Sequence, residues 1–482
     1  MPVFSRRSFI AGLSTIPFAL WFEKYASAQP TLTRFNLNSQ QGAAMLDIYA
    51  NAVKTMMSTP EKSPVGWLFQ WYTHGVRGDR SKLSELNRLY PPLGAQRLLA
   101  QQMWNTCQAH HDGDIEDFFL PWHRMYVFFF ERIVRKVSGQ ANFTLPYWDY
   151  TNAAVSSGPR LPSKFITPAA VTNPLFRNNR KTLVKNGNPI DQNSPGVLNL
   201  SSLRECTYSR VGNAVQGFNL NLDSNLHGTV HVLIGNQLGM GVPEWAGNDP
   251  IFWVHHCNID RLWASWNAAG RANPATTSWL NKQFVFADEN GQRVVATVRD
   301  FRNIATLRYN YDRLAPVPAC PPGSQAAGPP KTRARVPASV PLGSQPVSVN
   351  LQAPPSTAAG LQDLVQMVRN LGPTRRLYLV IRDLRTDAEP GAIFNIFLEL
   401  PEGGTDESHK VGSIHFFDAV GRHATSAAMA QQKFFSFDIT DLAKQLAADG
   451  RLTTTPRLTI APSNEFEGNA QPVIGEITLI EQ

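Results

Sequence analysis

Eight of the eleven histidines fall between positions 74 and 256: His74, His110, His111, His123, His227, His231, His255 and His256. One histidine in isolation is usually a surface or satisfied core residue, but a group this dense is a set of candidate metal ligands. His227 and His231, in His-Gly-Thr-Val-His, are four apart, which on a helix puts both imidazoles on one face, one turn apart, able to grip one ion. Downstream, Asp249-Pro250-Ile251-Phe252-Trp253-Val254-His255-His256 opens a second helix that can supply a third ligand. His256 is preferred over His255, because Asp260 lies one turn beyond it on the same face and can support either the ligand's orientation or a neighbouring helix. Upstream, a second trio assembles from His74, His110 or His111, and His123. Pro121 fits a helix entrance, with His123 starting an apolar helix whose Met125, Tyr126, Phe128, Phe129 and Phe130 carry it into a dry interior. Imidazole-only ligation suits zinc, copper, iron or nickel.

Two facing three-histidine sites, set in these strings, resemble the type 3 copper proteins: tyrosinases, catechol oxidases and oxygen-carrying haemocyanins. Phe119-Leu120-Pro121-Trp122-His123-Arg124, with Phe130-Glu131-Arg132 after it, is similar to the end of the family's first copper motif. His227 to His231, and Asp249 to Asp260 continuing through Arg261, Leu262 and Trp263, are similar to the second. Leu145-Pro146-Tyr147-Trp148-Asp149 resembles the family's "PYWDW" segment, Tyr309-Asn310-Tyr311-Asp312 its tyrosine motif, and Arg34 its N-terminal arginine. The resemblance implies two copper ions per chain, copper A on His74, His110 and His123 and copper B on His227, His231 and His256, the second member of the double histidine being the family ligand. His110 is chosen over His111 because Cys107 precedes it as in C-x-x-H, and some relatives join a cysteine to this histidine by a thioether. The activity implied is oxidation of phenols and o-diphenols to o-quinones with reduction of O2 to water, extending to o-hydroxylation of monophenols, with no catalytic residue beyond the copper ligands. Gly228 stands where several monophenol hydroxylases of the family carry asparagine, which tilts activity towards diphenols. Asp223 lies near where relatives carry an acidic residue that holds a water. A haemocyanin-like dioxygen carrier is the rival reading, and a zinc hydrolase is a further one.

The elements that must position these groups divide the chain. Residues 1–28 read as a twin-arginine export signal, from Ser5-Arg6-Arg7-Ser8-Phe9-Ile10 to Ala26-Ser27-Ala28, with a periplasmic or secreted destination. The apolar run from Phe9 to Phe22 is shorter than a bilayer span and contains Pro17, so no membrane anchor is expected after its removal. Residues 29–313 form the chemical half, rich in Trp, Phe and His, with helical patterns at Trp122 to Val137 and Phe252 to Trp266. Residues 314–345, an Ala-Pro-Gly-Ser-Arg stretch without hydrophobic period, read as a linker. Residues 346–482 carry short apolar runs at Leu377 to Ile381, Ala392 to Leu400, Gly412 to Phe417, Phe434 to Ile439, Arg457 to Ile460 and Ile474 to Ile480, separated by turn residues. The expected fold is a mainly α catalytic domain, a four-helix bundle around a dicopper centre, followed by a C-terminal antiparallel β-sandwich. That last domain is similar to the C-terminal domain of plant polyphenol oxidases, which implies a lid over the copper cleft.

Composition sets the outer bounds. Hydrophobic residues at 43% and charged residues at 17% describe a globular chain long enough for two cores. The net charge of +8 is scattered and forms no dense basic run, so nucleic acid is not an expected partner. The expected partners are a small phenol, O2 and a copper chaperone during loading. Cys107, Cys206, Cys257 and Cys320 are too few to staple the chain, and their spacing fixes no pairing.

Overall fold

The computed structural model describes residues 16–17, 31–108, 115–152, 158–212, 214–320, 329–353, 364–400, 406–419, 434–463, 466 and 468–482. The twin arginines and the Ala-Ser-Ala site lie outside the described residues. Of the export segment only Ile16–Pro17 is described, as a short parallel bridge to Val294 and Val295.

Helix α1 (Gln40–Ser58) begins at Ser39, whose side chain accepts from the Gly42 amide, and buries Leu46, Tyr49, Val53 and Met56 as one apolar stripe. Helix α2 (Trp67–His74) is short and almost wholly buried, and it ends on His74. Helix α3 (Ile115–Ser138) carries His123. The expectation that Pro121 marks a helix entrance is corrected, because Pro121 lies inside α3. Proline removes the amide that would bond the Asp117 carbonyl, and that carbonyl accepts instead from Trp279 Nε1 at 2.8 Å and the Tyr208 hydroxyl at 3.3 Å.

Helix α4 (Gly217–Leu222) passes through one wide π-turn (Asp223–His227) into helix α5 (Gly228–Ile234). Helix α6 (Ile251–Ala268) is the central rod, with every residue from Ile251 to Trp266 buried. Helices α1, α4 and α6 all pack on α3.

A rod buried on all sides must satisfy its polar side chains internally. Asp260 does so through Arg34 at 3.0 Å, Arg124, Tyr309 at 2.7 Å and Tyr311 at 2.5 Å. Burial opposes ionisation of Asp260, but Arg124 and Arg34 outweigh it and hold the carboxyl below its usual range. Arg34 also donates to Glu131 at 2.9 Å, so one guanidinium ties α3 to α6. Asp260 therefore supports the neighbouring helix and makes no bond to His256.

The C-terminal domain is a two-sheet sandwich. Its strands are β1 (Lys331–Arg335), β2 (Val347–Asn350), β3 (Leu377–Arg385), β4 (Phe394–Leu398), β5 (Lys410–Ile414), β6 (Phe434–Asp438), β7 (Arg457–Pro462) and β8 (Val473–Glu481). One sheet runs β5-β4-β7-β2 and the other β6-β3-β8-β1, with Val340–Pro341 also pairing with β8. The inner faces meet through Leu379, Ile381, Phe394, Ile396, Leu458, Ile460 and Ile477. Strand β1 and Val340–Pro341 fall inside the segment 314–345 that reads as a linker. Only Ala334 of β1 is buried, so this edge strand has backbone pairing to β8 and no hydrophobic period to announce it.

The two domains touch. Ala214 and Leu220 pack with Val380, Phe434 and Ile480, while Ile393 and Phe417 of the sandwich join the core of the helical domain. A disulfide joins Cys206 to Cys320, with Cα atoms 5.8 Å apart, and so fixes the end of the helical domain to its own body. Among the described residues no helix is long and apolar enough to cross a membrane.

Candidate metal centre

Each histidine is delivered by a different local device. His74 is the last residue of α2, His123 follows Pro121 in α3, His227 closes the π-turn, His231 lies one turn on in α5, and His255 and His256 sit near the start of α6. All six are buried. Two groups with metal-ligand geometry result: His227, His231, His255 and His256, and His74, Cys107 and His123, with the ligand-capable atoms within 4.8 Å of one another in each group. His110 and His111 lie outside the described residues.

The two groups face each other. The His123 and His256 rings stack at 4.2 Å and 6°, and the His123 and His227 centroids are 6.0 Å apart. Phe119 stands between the groups, 4.7 Å from both His123 and His227. The expected convergence of the described trio members is therefore what the structure brings together.

Backbone carbonyls select the ring nitrogen that points inwards. His74 Nδ1 lies 2.9 Å from the Pro243 carbonyl, His123 Nδ1 2.8 Å from that of Phe119, and His231 Nδ1 2.8 Å from that of Met240. His227 Nδ1 meets the Asp223 carboxylate at 3.0 Å. A hydrogen fixed on Nδ1 leaves the Nε2 lone pair for a metal. Burial first, then the crowding of His231, His256, His255 and His123, pushes the His227 imidazole well below its ordinary pKa. Burial, then His123, His255, His231 and His74, does the same to His256. Neutral, inward-facing imidazoles fit copper or another borderline divalent ion.

Cys107 is buried and its sulfur lies 3.6 Å from His123 Nε2. Asp223 supports His227 and, with Ser224, His415 and Phe417, lines a cavity of about 30 Å3, room for one water. Gly228 has no side chain, and the His415 ring occupies the space where one would project, so a Cβ there would collide with it. Phe417 stacks on His231 at 4.3 Å and 19°, and meets His227 edge-on at 5.7 Å. His415 and Phe417 were not expected at the site. They follow an ordinary strand, and only the docking of the sandwich brings them there.

The family model for the common central domain of tyrosinase matches residues 87–195 and 167–269, that for the polyphenol oxidase middle domain 274–320, and a domain of unknown function 334–482. A tyrosinase of Hahella sp. (strain CCB-MM4) is 30% identical over 460 residues, covering 90% of this chain and 96% of that protein. A latent chloroplastic polyphenol oxidase of Prunus armeniaca is 27% identical over 297 residues, 55% of this chain and 46% of its own length. Among solved structures, latent apple tyrosinase superposes with a TM-score of 0.59 at 21% identity over 95% of this chain and 98% of that one. A latent aurone synthase gives 0.61 at 20% over 94% and 90%. These two likenesses extend the shared fold through both domains.

Proposed function

The chain belongs to the tyrosinase family, and from that premise we propose that its facing histidine clusters hold the copper pair of an oxidase acting on o-diphenols. It is an oxidoreductase that carries out copper-dependent oxidation of phenols. We assign copper A to His74, His110 and His123, and copper B to His227, His231 and His256. The observation that carries this assignment is the stacking of His123 on His256 between two buried groups of metal-ligand geometry.

Bound copper supplies the redox couple that passes two electrons from a diphenol to O2. The protein's own work is to keep the imidazoles neutral and aimed, to exclude water, and to admit a flat phenol. Asp223 holds the His227 ring through Nδ1. Gly228 leaves no polar side chain beside His227 to help deprotonate a monophenol, which favours diphenols over tyrosine. Phe417 lies flat on His231 and edge-on to His227, two of the residues that would hold copper B, which supports the reading of the C-terminal domain as a lid that keeps the full chain latent. Residues 1–28 are assigned to twin-arginine export.

The test counts copper per chain and compares rates on L-tyrosine and L-DOPA, before and after proteolysis between 320 and 331. Two coppers, quinone from L-DOPA and a rise after the cut are expected. A fully copper-loaded, cut protein that forms no quinone favours the dioxygen carrier, and a chain that takes zinc in preference to copper overturns the assignment.

A further inference from the structure

The helices that carry the candidate copper B histidines do not follow one another directly: α5 ends at Ile234 and α6 begins at Ile251. Their imidazoles can share one ion only if the end of one helix is fixed against the start of the other. At the start of α6 the Ile251 amide donates to Asp249 Oδ1 at 3.1 Å, which places a carboxylate at the positive end of the helix that bears His256. That carboxylate is buried and gripped by Arg180, which donates from Nε to Oδ2 at 2.8 Å and from a terminal nitrogen to Oδ1 at 2.6 Å. A two-pronged arginine fixes a carboxylate in direction as well as distance. The guanidinium is itself held, donating to the carbonyls of Phe165 at 2.5 Å and Leu175 at 2.7 Å.

At the end of α5 the same residue acts through its backbone. Arg180 forms an antiparallel bridge with Gly235, closed by the Lys181 amide on the Ile234 carbonyl at 2.8 Å and the Asn236 amide on the Asn179 carbonyl at 3.1 Å. The Gly235 amide in turn donates to the His231 carbonyl at 3.1 Å. Here the chain doubles back so tightly that a Cβ on Gly235 would strike the backbone of Met240 and Gly241, and this turn delivers the Met240 carbonyl to His231 Nδ1.

We propose that Arg180 is a positioning residue for copper B: its side chain holds the start of the helix bearing His256, its backbone the end of the helix bearing His231, and the two imidazoles thereby converge on one ion. This rests on the copper reading above. None of the described Arg180 bonds reaches α2 or α3, which carry His74 and His123. The Pro243 carbonyl that meets His74 lies on the short helix Pro243–Ala246, which is tied to α2 by Trp71 Nε1 donating to the Glu244 carbonyl at 2.8 Å. Loss of the Arg180 side chain should therefore act on one copper and spare the other.

The experiment counts copper per chain, and times its release to a chelator, for Arg180→Met in three backgrounds: wild type, His123→Ala and His231→Ala, with thermal melts to confirm folding. Wild type holds two coppers, and Arg180→Met should hold one or release one of its two about 10- to 100-fold faster. In the His123→Ala background, which leaves copper B alone, the substitution should strip or speed the release of the remaining copper. In the His231→Ala background, which leaves copper A alone, it should change nothing. A merely structural arginine would loosen both sites alike. The proposal is overturned if folded Arg180→Met keeps both coppers at wild-type release rates, or if the two backgrounds lose copper equally. Should Arg180→Met melt early, Arg180→Lys, which keeps the charge but not the two-pronged grip, is read by the same release rates in the same backgrounds. A wild type without two coppers sinks the ligand assignment itself, whereas a two-copper wild type with no difference between the backgrounds sinks this inference alone.

Discussion

On the proposed lid reading, Phe417→Ala in the uncut chain separates the ring that lies on the candidate copper B histidines from the rest of the C-terminal domain. The ring is buried, lies flat on His231 and meets His227 edge-on. Burying a phenylalanine contributes about 1.5–3 kcal/mol, and an aromatic pair about 0.5–1.5 kcal/mol more. Truncation should therefore weaken the closed state by about 2–4 kcal/mol, roughly 30- to 900-fold in the ratio of open to closed molecules, until opening is complete. The assay is the initial rate of quinone formation from 4-methylcatechol by copper-loaded wild type and variant, each before and after cutting between 320 and 331. The uncut variant should already show most of the activity that wild type gains on cutting, and cutting it should add little. Phe417→Leu, which keeps an apolar plug, should fall between the two. If cutting activates wild type while uncut Phe417→Ala stays as slow as uncut wild type, Phe417 is not what covers the copper.

Gly228→Asn should collide with His415, unseat the sandwich and raise the uncut rate on catechols, so that the ratio of cut to uncut rates falls towards one. An unchanged ratio would show that His415 yields. Asp260→Asn leaves Arg34 and Arg124 without their shared buried carboxylate and should cost about 3–5 kcal/mol, read as a lower denaturant midpoint with copper bound. A loss below about 1 kcal/mol would deny the clamp its role. In the metal-free protein, burial holds His227 and His256 well below the ordinary range and His255 at about 3. The unfolded chain takes up these protons near pH 6.5, so their contribution to stability is complete above about 6.5 and declines as the pH falls towards 3. Midpoints measured at pH 7.5, 6 and 5 should drop in that order, and a flat series would contradict neutral buried imidazoles.

What was legible in the sequence had a period or a spacing. The i, i+4 pair His227–His231 and the apolar run after His123 announce helices, and the turn-bounded runs from Leu377 to Ile480 announce the strands of the sandwich. Strand β1 was hidden because an edge strand with one buried side chain has no alternation to detect. Pro121 misled because the partners that accept its consequences, Trp279 and Tyr208, are distant in sequence. The clamp role of Asp260 was half legible, since its helical face was right but its partners Arg34 and Tyr309 come from the ends of the domain. His415 and Phe417 carry no local signal at all. Their roles arise from long-range docking, and the pairing of Cys206 with Cys320 across 114 positions is of the same kind.

If the sandwich acts as the proposed lid, that disulfide also shortens its leash. With Cys320 pinned, ten residues of sequence, 321–330, separate it from Lys331, where the sandwich begins. Even fully stretched they reach about 33–36 Å. A cap that lifts on so short a tether stays at an effective concentration on the order of millimolar and snaps back sooner than a competing molecule arrives. Agents that merely loosen the cap would then act only while present, whereas one nick past Cys320 turns a local, self-healing event into escape by dilution.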